Sequence, residues 1–104
     1  VLRDNTLQGP AGAAPLSVQE SLIAEVLWQH RGQVVTRDAL FYRLWGRVPD
    51  APSRVVDVHV AALRRKLTAV GHSSAAIETA RGLGYRWRAR ATAGGTPIAW
   101  GRRR

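Results

Sequence analysis

Val56, Val60, Leu63 and Leu67 are spaced four, three and four within the stretch "SRVVDVHVAALRRKL", residues 53 to 67. At about 100° per residue that spacing puts all four on one stripe of an α-helix, the side that must face a core. The opposite side is the sharper constraint. It reads Arg54, Val58, Ala61, Ala62 and Arg65, two cations bracketing small apolar residues where a surface helix carries long polar ones. The two alanines alone are good helix formers that happen to face water. A β-branched Val58 gains little from helix. The outer face therefore reads as one built to touch something.

The rest of the chain supplies a frame for this helix. In "LSVQESLIAEVLWQHRG", Ser17 and Glu20 form a capping box with Leu16 placed for a hydrophobic staple. Leu22, Ile23, Val26 and Leu27 then give the inward stripe, and Gly32 supplies the stop. In "VVTRDALFYRLWG", Thr36 caps a second helix, Leu40, Phe41 and Leu44 face inward, and Gly46 ends it. Arg47, Val48, Pro49, Asp50, Ala51 and Pro52 follow, and their two prolines make this segment a loop. Ser53 is placed to cap the third helix, about 54 to 70, with Asp57 near its positive end, Arg64, Arg65 and Lys66 near its negative end, and Gly71 as its stop.

Residues 1 to 16 accommodate at most two short strands and a turn. Beyond the third helix, Ile77 to Ala80 and Tyr85 to Ala89 are strand-like runs flanking Arg81-Gly82-Leu83-Gly84, a hairpin whose glycines permit positive φ. "TPIAW" is expected to add a strand and "GRRR" to fray. The organisation expected is an N-terminal strand and turn segment (1–16), a core domain (17–91) and a basic extension (92–104). The fold class is α+β: a winged helix-turn-helix of three helices, with a C-terminal β-hairpin wing and a reduced N-terminal sheet.

Composition narrows the function classes. Sixteen Lys plus Arg stand against seven Asp plus Glu in 104 residues, a formal net charge of +9, and every base except Lys66 is Arg. Such an excess attracts polyanions, and the planar guanidinium matches phosphate and guanine edges bidentately. There is no cysteine, which excludes disulfides and thiolate metal sites. His30, His59 and His72 have no metal spacing, so neither metal nor other cofactor is expected. No run approaches the ~18 apolar residues of a membrane span, and no signal-peptide pattern opens the chain; a soluble, cytoplasmic protein is expected. Gly82 and Gly84 lack the third glycine and the following helix of a nucleotide loop. The acids are scattered and Ser17 is committed as a cap, so no nucleophile, base and orienter assemble and the chain reads as a non-enzyme.

A helix face that enters the major groove needs cations for phosphate and guanine, with small or apolar residues between them. Arg54, Val58, Ala61, Ala62 and Arg65 fit that need. Arg81 at the hairpin tip suits a narrow minor groove, and Thr79, Tyr85, Arg86 and Arg88 add hydroxyls and cations around it. Trp45 closes the second helix, where it packs inward or donates its indole N–H to a phosphate.

At these residues the chain resembles the winged-helix effector domain of OmpR/PhoB-type response regulators. The matching pieces are "LSVQE" for L-T-x-x-E, "GQVVTRDAL" for G-x-V-V-S-R-x-x-L, "LWG" for V-W-G, "SRVVDVHVAALRRKL" for S-R-T-V-D-V-H-I-x-x-L-R-x-K-L, and "IETARGLGYRW" for I-x-T-V-R-G-x-G-Y-x-hydrophobic, together covering residues 16 to 88. The resemblance implies sequence-selective binding of double-stranded DNA by a bacterial transcription regulator of a two-component phosphorelay. The third helix would lie in the major groove, the wing (about 77 to 89) in the minor groove, and two copies would sit head to tail on tandem half-sites.

By position, the resemblance carries DNA contact to Arg54, Val58, His59, Arg64, Trp45, Thr79, Arg81 and Tyr85, and RNA polymerase contact to the loop from Arg47 to Pro52. Ala61 and Ala62 depart from the pattern, because relatives often carry polar readers there. Ser21 replaces a common core aromatic. Three other readings stand beside this one: a protein-interaction module using the same small-residue face, an RNA-associated protein, and an accessory domain of a larger enzyme.

Overall fold

The computed structural model describes residues 5–88, so "TPIAW", "GRRR" and the end of the second wing strand at Ala89 lie outside the described residues. Two strands, Thr6–Gly9 (β1) and Gly12–Pro15 (β2), pair antiparallel with Thr6 opposite Pro15 and Gly9 opposite Gly12, as the short N-terminal segment led one to expect. Leu7 is fully buried, which ties this hairpin to the core. Its turn docks on the far end of the third helix, where the Ala11 N–H donates to Val70 O at 2.8 Å.

Helix α1 spans Val18–Gln29. Its capping box is formed: Ser17 Oγ accepts from Glu20 N at 3.1 Å, and Glu20 Oε1 accepts from Ser17 N at 3.0 Å. The buried side differs from the expected stripe. Leu22 and Val26 are only half-buried, while Glu20, Ser21 and Ala24 turn inward beside Ile23 and Leu27. The reason lies outside the helix. α1 packs against both other helices, and Lys66 Nζ meets the Glu20 carboxylate at 2.6 Å, which lets an acid occupy a buried position. Burial raises the Glu20 pKa, but the hydrogen bonds from Lys66 and from the Ser17 N–H outweigh it, and the net shift is downward.

Ser21 has no such partner among the described residues: it is 2% exposed and its hydroxyl makes no hydrogen bond to them. A buried, unsatisfied hydroxyl costs about 1–3 kcal/mol. Ser21→Ala is therefore expected to stabilise the fold by about 1 kcal/mol, raising Tm by roughly 4–8 °C in a thermal melt. An unchanged or lower Tm would mean that the hydroxyl is satisfied.

Val35–Thr36 forms a two-residue strand, β3, and leads directly into helix α2, Arg37–Trp45. Thr36 Oγ1 accepts from Ala39 N at 3.1 Å, and Gly46 closes the helix at φ +75° with its N–H on Tyr42 O. Leu40 and Phe41 are buried and Leu44 half-buried, as the spacing predicts. Helix α3 spans Val55–Ala69. Ser53 does not cap it in the expected way: Arg54 holds the N-cap position without a side-chain bond, and Ser53 Oγ instead accepts from Val55 N at 3.2 Å. The hydroxyl stands one residue too early to reach the second or third helical N–H.

After a single 3₁₀ turn at Ser74–Ala76, strands β4 (Ile77–Ala80) and β5 (Gly84–Trp87) form the wing hairpin, with Thr79 opposite Tyr85 and Ala80 opposite Gly84. Gly84 belongs to strand β5 and not to the turn as its sequence suggests, and β3 has no counterpart among the elements expected from the sequence. In the structure β5 is the middle strand of a β3-β5-β4 sheet, with Val35 opposite Tyr85 and Thr36 opposite Gly84. Only Gly82 has a positive φ in the turn, +76°. Gly84 is needed for a different reason, because a Cβ there would lie 2.1 Å from Val35 O. The resulting molecule is a three-helix core with a wing, an α+β winged helix-turn-helix. Among the described residues no helix is long and apolar enough to cross a membrane.

Candidate nucleic-acid interface

The core stripe of α3 is buried as its spacing requires: Val60, Leu63 and Leu67 are fully enclosed and Val56 nearly so. Its outer side is open. Val58 is 62% exposed, Arg54, Ala61 and Arg65 are exposed, and Ala62 is half-buried at the edge of the same face. Neither the Arg54 nor the Arg65 side chain makes a hydrogen bond or ion pair within the described residues. His59 lies half-buried on the flank that turns toward α1. The β-branched side chain that looked out of place on a solvated face is in fact solvent-facing.

The other cations of α3 are engaged. Arg64, expected at the surface, reaches back to the wing: Nε and Nη2 donate to Ile77 O at 3.1 and 2.7 Å, and Nη2 also donates to Thr79 Oγ1 at 2.9 Å. Lys66 Nζ donates to Pro15 O at 2.8 Å as well as to Glu20. Arg64 thus fixes the angle between α3 and the wing, and Lys66 ties α3 to α1 and β2. Both act as braces on the helix whose outer face stays free.

A second brace sits at the start of α3. Asp57 Oδ1 accepts from Arg37 Nε at 2.9 Å and from the Tyr85 hydroxyl, joining α3 to α2 and to β5. The Arg37 and Arg64 guanidiniums lie 5.1 and 5.5 Å from the centre of the Tyr85 ring, within cation–π range. Burial pushes the Asp57 carboxyl upward, but the hydrogen bonds from Tyr85 and Arg37 outweigh it and hold the group below the ordinary aspartate range. Burial and then the Asp57 bond raise the Tyr85 phenol above its usual value. The Asp57 bond likewise raises Arg37.

Tyr85 therefore departs from its expected place among surface contacts. It is 4% exposed with its hydroxyl engaged, and it supports the face from behind. Asp57, expected from its sequence position to serve the helix dipole, serves this brace as well, and nothing local in the sequence marks Arg37 as its partner.

On the wing, Arg81 is exposed at the tip and makes no ion pair among the described residues, while Thr79 is exposed with its oxygen shared by Arg64. Arg86 and Arg88, read as further cations for phosphate, both pair with Glu78, at 2.8 and 3.4 Å. Trp45 is neither fully core nor free. It is 40% exposed, with its ring 4.6 Å from that of Phe41.

The loop from Arg47 to Pro52 stands out between α2 and α3. Val48 is 58% exposed, Pro49 is half-buried, and Asp50, Ala51 and Pro52 are exposed. Arg47 lies 5.5 Å over the Phe41 ring and 3.8 Å from Asp50. Beside the loop is a shallow cleft lined by Arg37, Phe41, Pro49, Pro52 and Val56.

Residues 12–87 match the family model described as "Transcriptional regulatory protein, C terminal". Among curated proteins, the chain is 35% identical over 80 residues to the heme response regulator HssR of Staphylococcus saprophyticus, covering 77% of this chain and 35% of that protein. It is 37% identical over 71 residues to the alkaline phosphatase synthesis transcriptional regulatory protein PhoP of Bacillus subtilis, covering 68% and 30%. The chain thus spans about a third of the length of these relatives. Among solved structures, the Klebsiella pneumoniae RstA DNA-binding domain in complex with the RstA box is similar at TM-score 0.69 and 31% identity, covering 80% of this chain and 82% of that one.

Proposed function

We propose that this chain, which belongs to the family of C-terminal domains of transcriptional regulatory proteins, binds double-stranded DNA selectively, with α3 in the major groove and the β4–β5 wing in the minor groove beside it. The observation that carries this reading is the outer face of α3. Among the described residues its two guanidiniums make no ion pair, its middle is small and apolar, and it is braced on both flanks by part-buried side chains that are committed to bonds within the fold. The similarity to a neighbour solved on its DNA box supports it.

Arg54 and Arg65 meet phosphate or guanine, Val58 and Ala61 face the bases with Ala62 and His59 at the edge, and Trp45 donates to the backbone. Arg81 enters the minor groove with Thr79 beside it. Two copies occupy tandem half-sites about one helical turn apart, and the loop from Arg47 to Pro52 is the surface offered to RNA polymerase. The setting for this work is the cytoplasm.

The test is the salt dependence of duplex binding. With about five phosphates neutralised, log affinity should fall against log salt with a slope near −4.5, about −0.9 for each phosphate. Arg54→Ala should lose about 1–3 kcal/mol of discrimination between sequences, the value of a bidentate base contact. A flat titration between roughly 50 and 200 mM salt counts decisively against DNA as the ligand.

A further inference from the structure

We infer that this chain selects its site chiefly by apolar contact with thymine methyl groups, through Val58, Ala61 and Ala62, and not by hydrogen bonds to base edges from the middle of α3. The inference rests on the DNA-binding reading above and names what that face recognises. Between Arg54 and Arg65 the fully exposed positions, Val58 at 62% and Ala61, carry no side-chain donor or acceptor, and the half-buried His59 lies on the flank that turns toward α1.

The polar groups that flank this middle are turned away from it. Asp57 is held by Arg37 and Tyr85, Arg64 by Ile77 O and Thr79, and Lys66 by Glu20 and Pro15 O. None of these swings outward without giving up a bond that fixes α3 in place.

What such a face distinguishes follows from the groove. Each base pair presents donors and acceptors there, but only thymine presents a methyl group. Short side chains let the helix backbone come close, so Val58 and the alanine Cβ atoms reach that methyl and exclude water from it. A cytosine amino group or guanine oxygen at the same spot would lose its water with nothing in exchange, which disfavours it. Arg54 and Arg65 stand eleven residues apart, about 16 Å along the helix, against a groove about 12 Å wide. They therefore anchor the ends of the face and leave its middle to the methyl groups.

The experiment uses the 104-residue chain and a duplex selected from a random pool. Each thymine of the selected site is replaced singly by deoxyuridine, which removes only the methyl group. At one or two positions in each half-site, affinity should fall about threefold to fivefold, the value of one buried methyl. Val58→Ala, a change at an exposed position that leaves the core intact, should abolish the deoxyuridine effect at its own position.

Tight, selective binding that tolerates deoxyuridine everywhere overturns the inference and leaves the DNA-binding reading standing. So does sensitivity confined to 7-deazaguanine, which would put selection in the guanidiniums. Equal, weak binding to every duplex without a steep salt slope overturns both.

Discussion

Gly84→Ala is expected to lower Tm by at least about 12 °C, equivalent to about 3 kcal/mol in a domain of this size. The added Cβ would lie 2.1 Å from Val35 O and 2.8 Å from the Thr36 Cα, both backbone atoms of β3. Neither swings aside as the tip of a flexible side chain would. The φ of Gly84 is not in the left-handed region, so the cost is steric and separable from backbone preference. Gly82→Ala provides the contrast. Gly82 has φ +76° and nothing within 4 Å of an added Cβ, so its cost is conformational, about 1–2 kcal/mol.

The larger effect should spread. Pushing β3 off β5 displaces Thr36, the cap of α2, and disturbs the Val35 pairing with Tyr85. Duplex affinity should therefore fall together with stability. A Gly84→Ala protein melting within about 3 °C of the parent would show that β3 and β5 do not approach this closely, since a lost fraction of a kcal/mol is all that such a shift allows.

What the sequence disclosed and what it hid divide by distance along the chain. The capping box of Ser17 and Glu20 and the Thr36 cap are three-residue relations, so they are legible as written. The outer face of α3 follows from helical period alone, and the structure leaves it open as read. Strand β3 is two residues long and has no period; it exists because β5 lies beside it. The inward face of α1 departs from its apolar stripe for a related reason. Glu20 is buried because Lys66, distant in sequence, meets it.

The Asp57 brace is the clearest case, since its bonds join residues 20 and 28 positions apart. No local pattern predicts such a contact. A signal was nevertheless present: Arg37, Asp57 and Tyr85 each stand at a fixed letter of the motif pieces that carry the family resemblance. Three fixed polar letters that meet one another are what a shared, part-buried hydrogen-bond network leaves in a sequence.

That network gives the remaining prediction. Asp57→Asn preserves shape but removes the charge that Arg37 and the Tyr85 hydroxyl address. It should cost about 2 kcal/mol at pH 7, in the range of a charge-assisted hydrogen bond. The sign of its pH dependence is fixed by the downward shift of Asp57. A carboxyl held below its unfolded value stabilises the fold fully above about pH 4 and loses that contribution as pH falls through the folded-state value.

The gap in stability between parent and Asp57→Asn, measured by urea unfolding, should therefore be full at pH 7 and close toward about pH 2. Glu20 titrates in both proteins and cancels from the difference. Tyr85 supplies the opposite limb: its raised pKa makes the parent lose stability as pH rises above about 10. Tyr85→Phe keeps the ring beneath the two guanidiniums and lacks the ionising hydroxyl, so it should flatten that alkaline fall at a cost of about 1 kcal/mol near neutrality. A gap between parent and Asp57→Asn that stays constant from pH 7 to pH 2 would mean that the carboxylate charge is not what holds α3 to α2 and the wing.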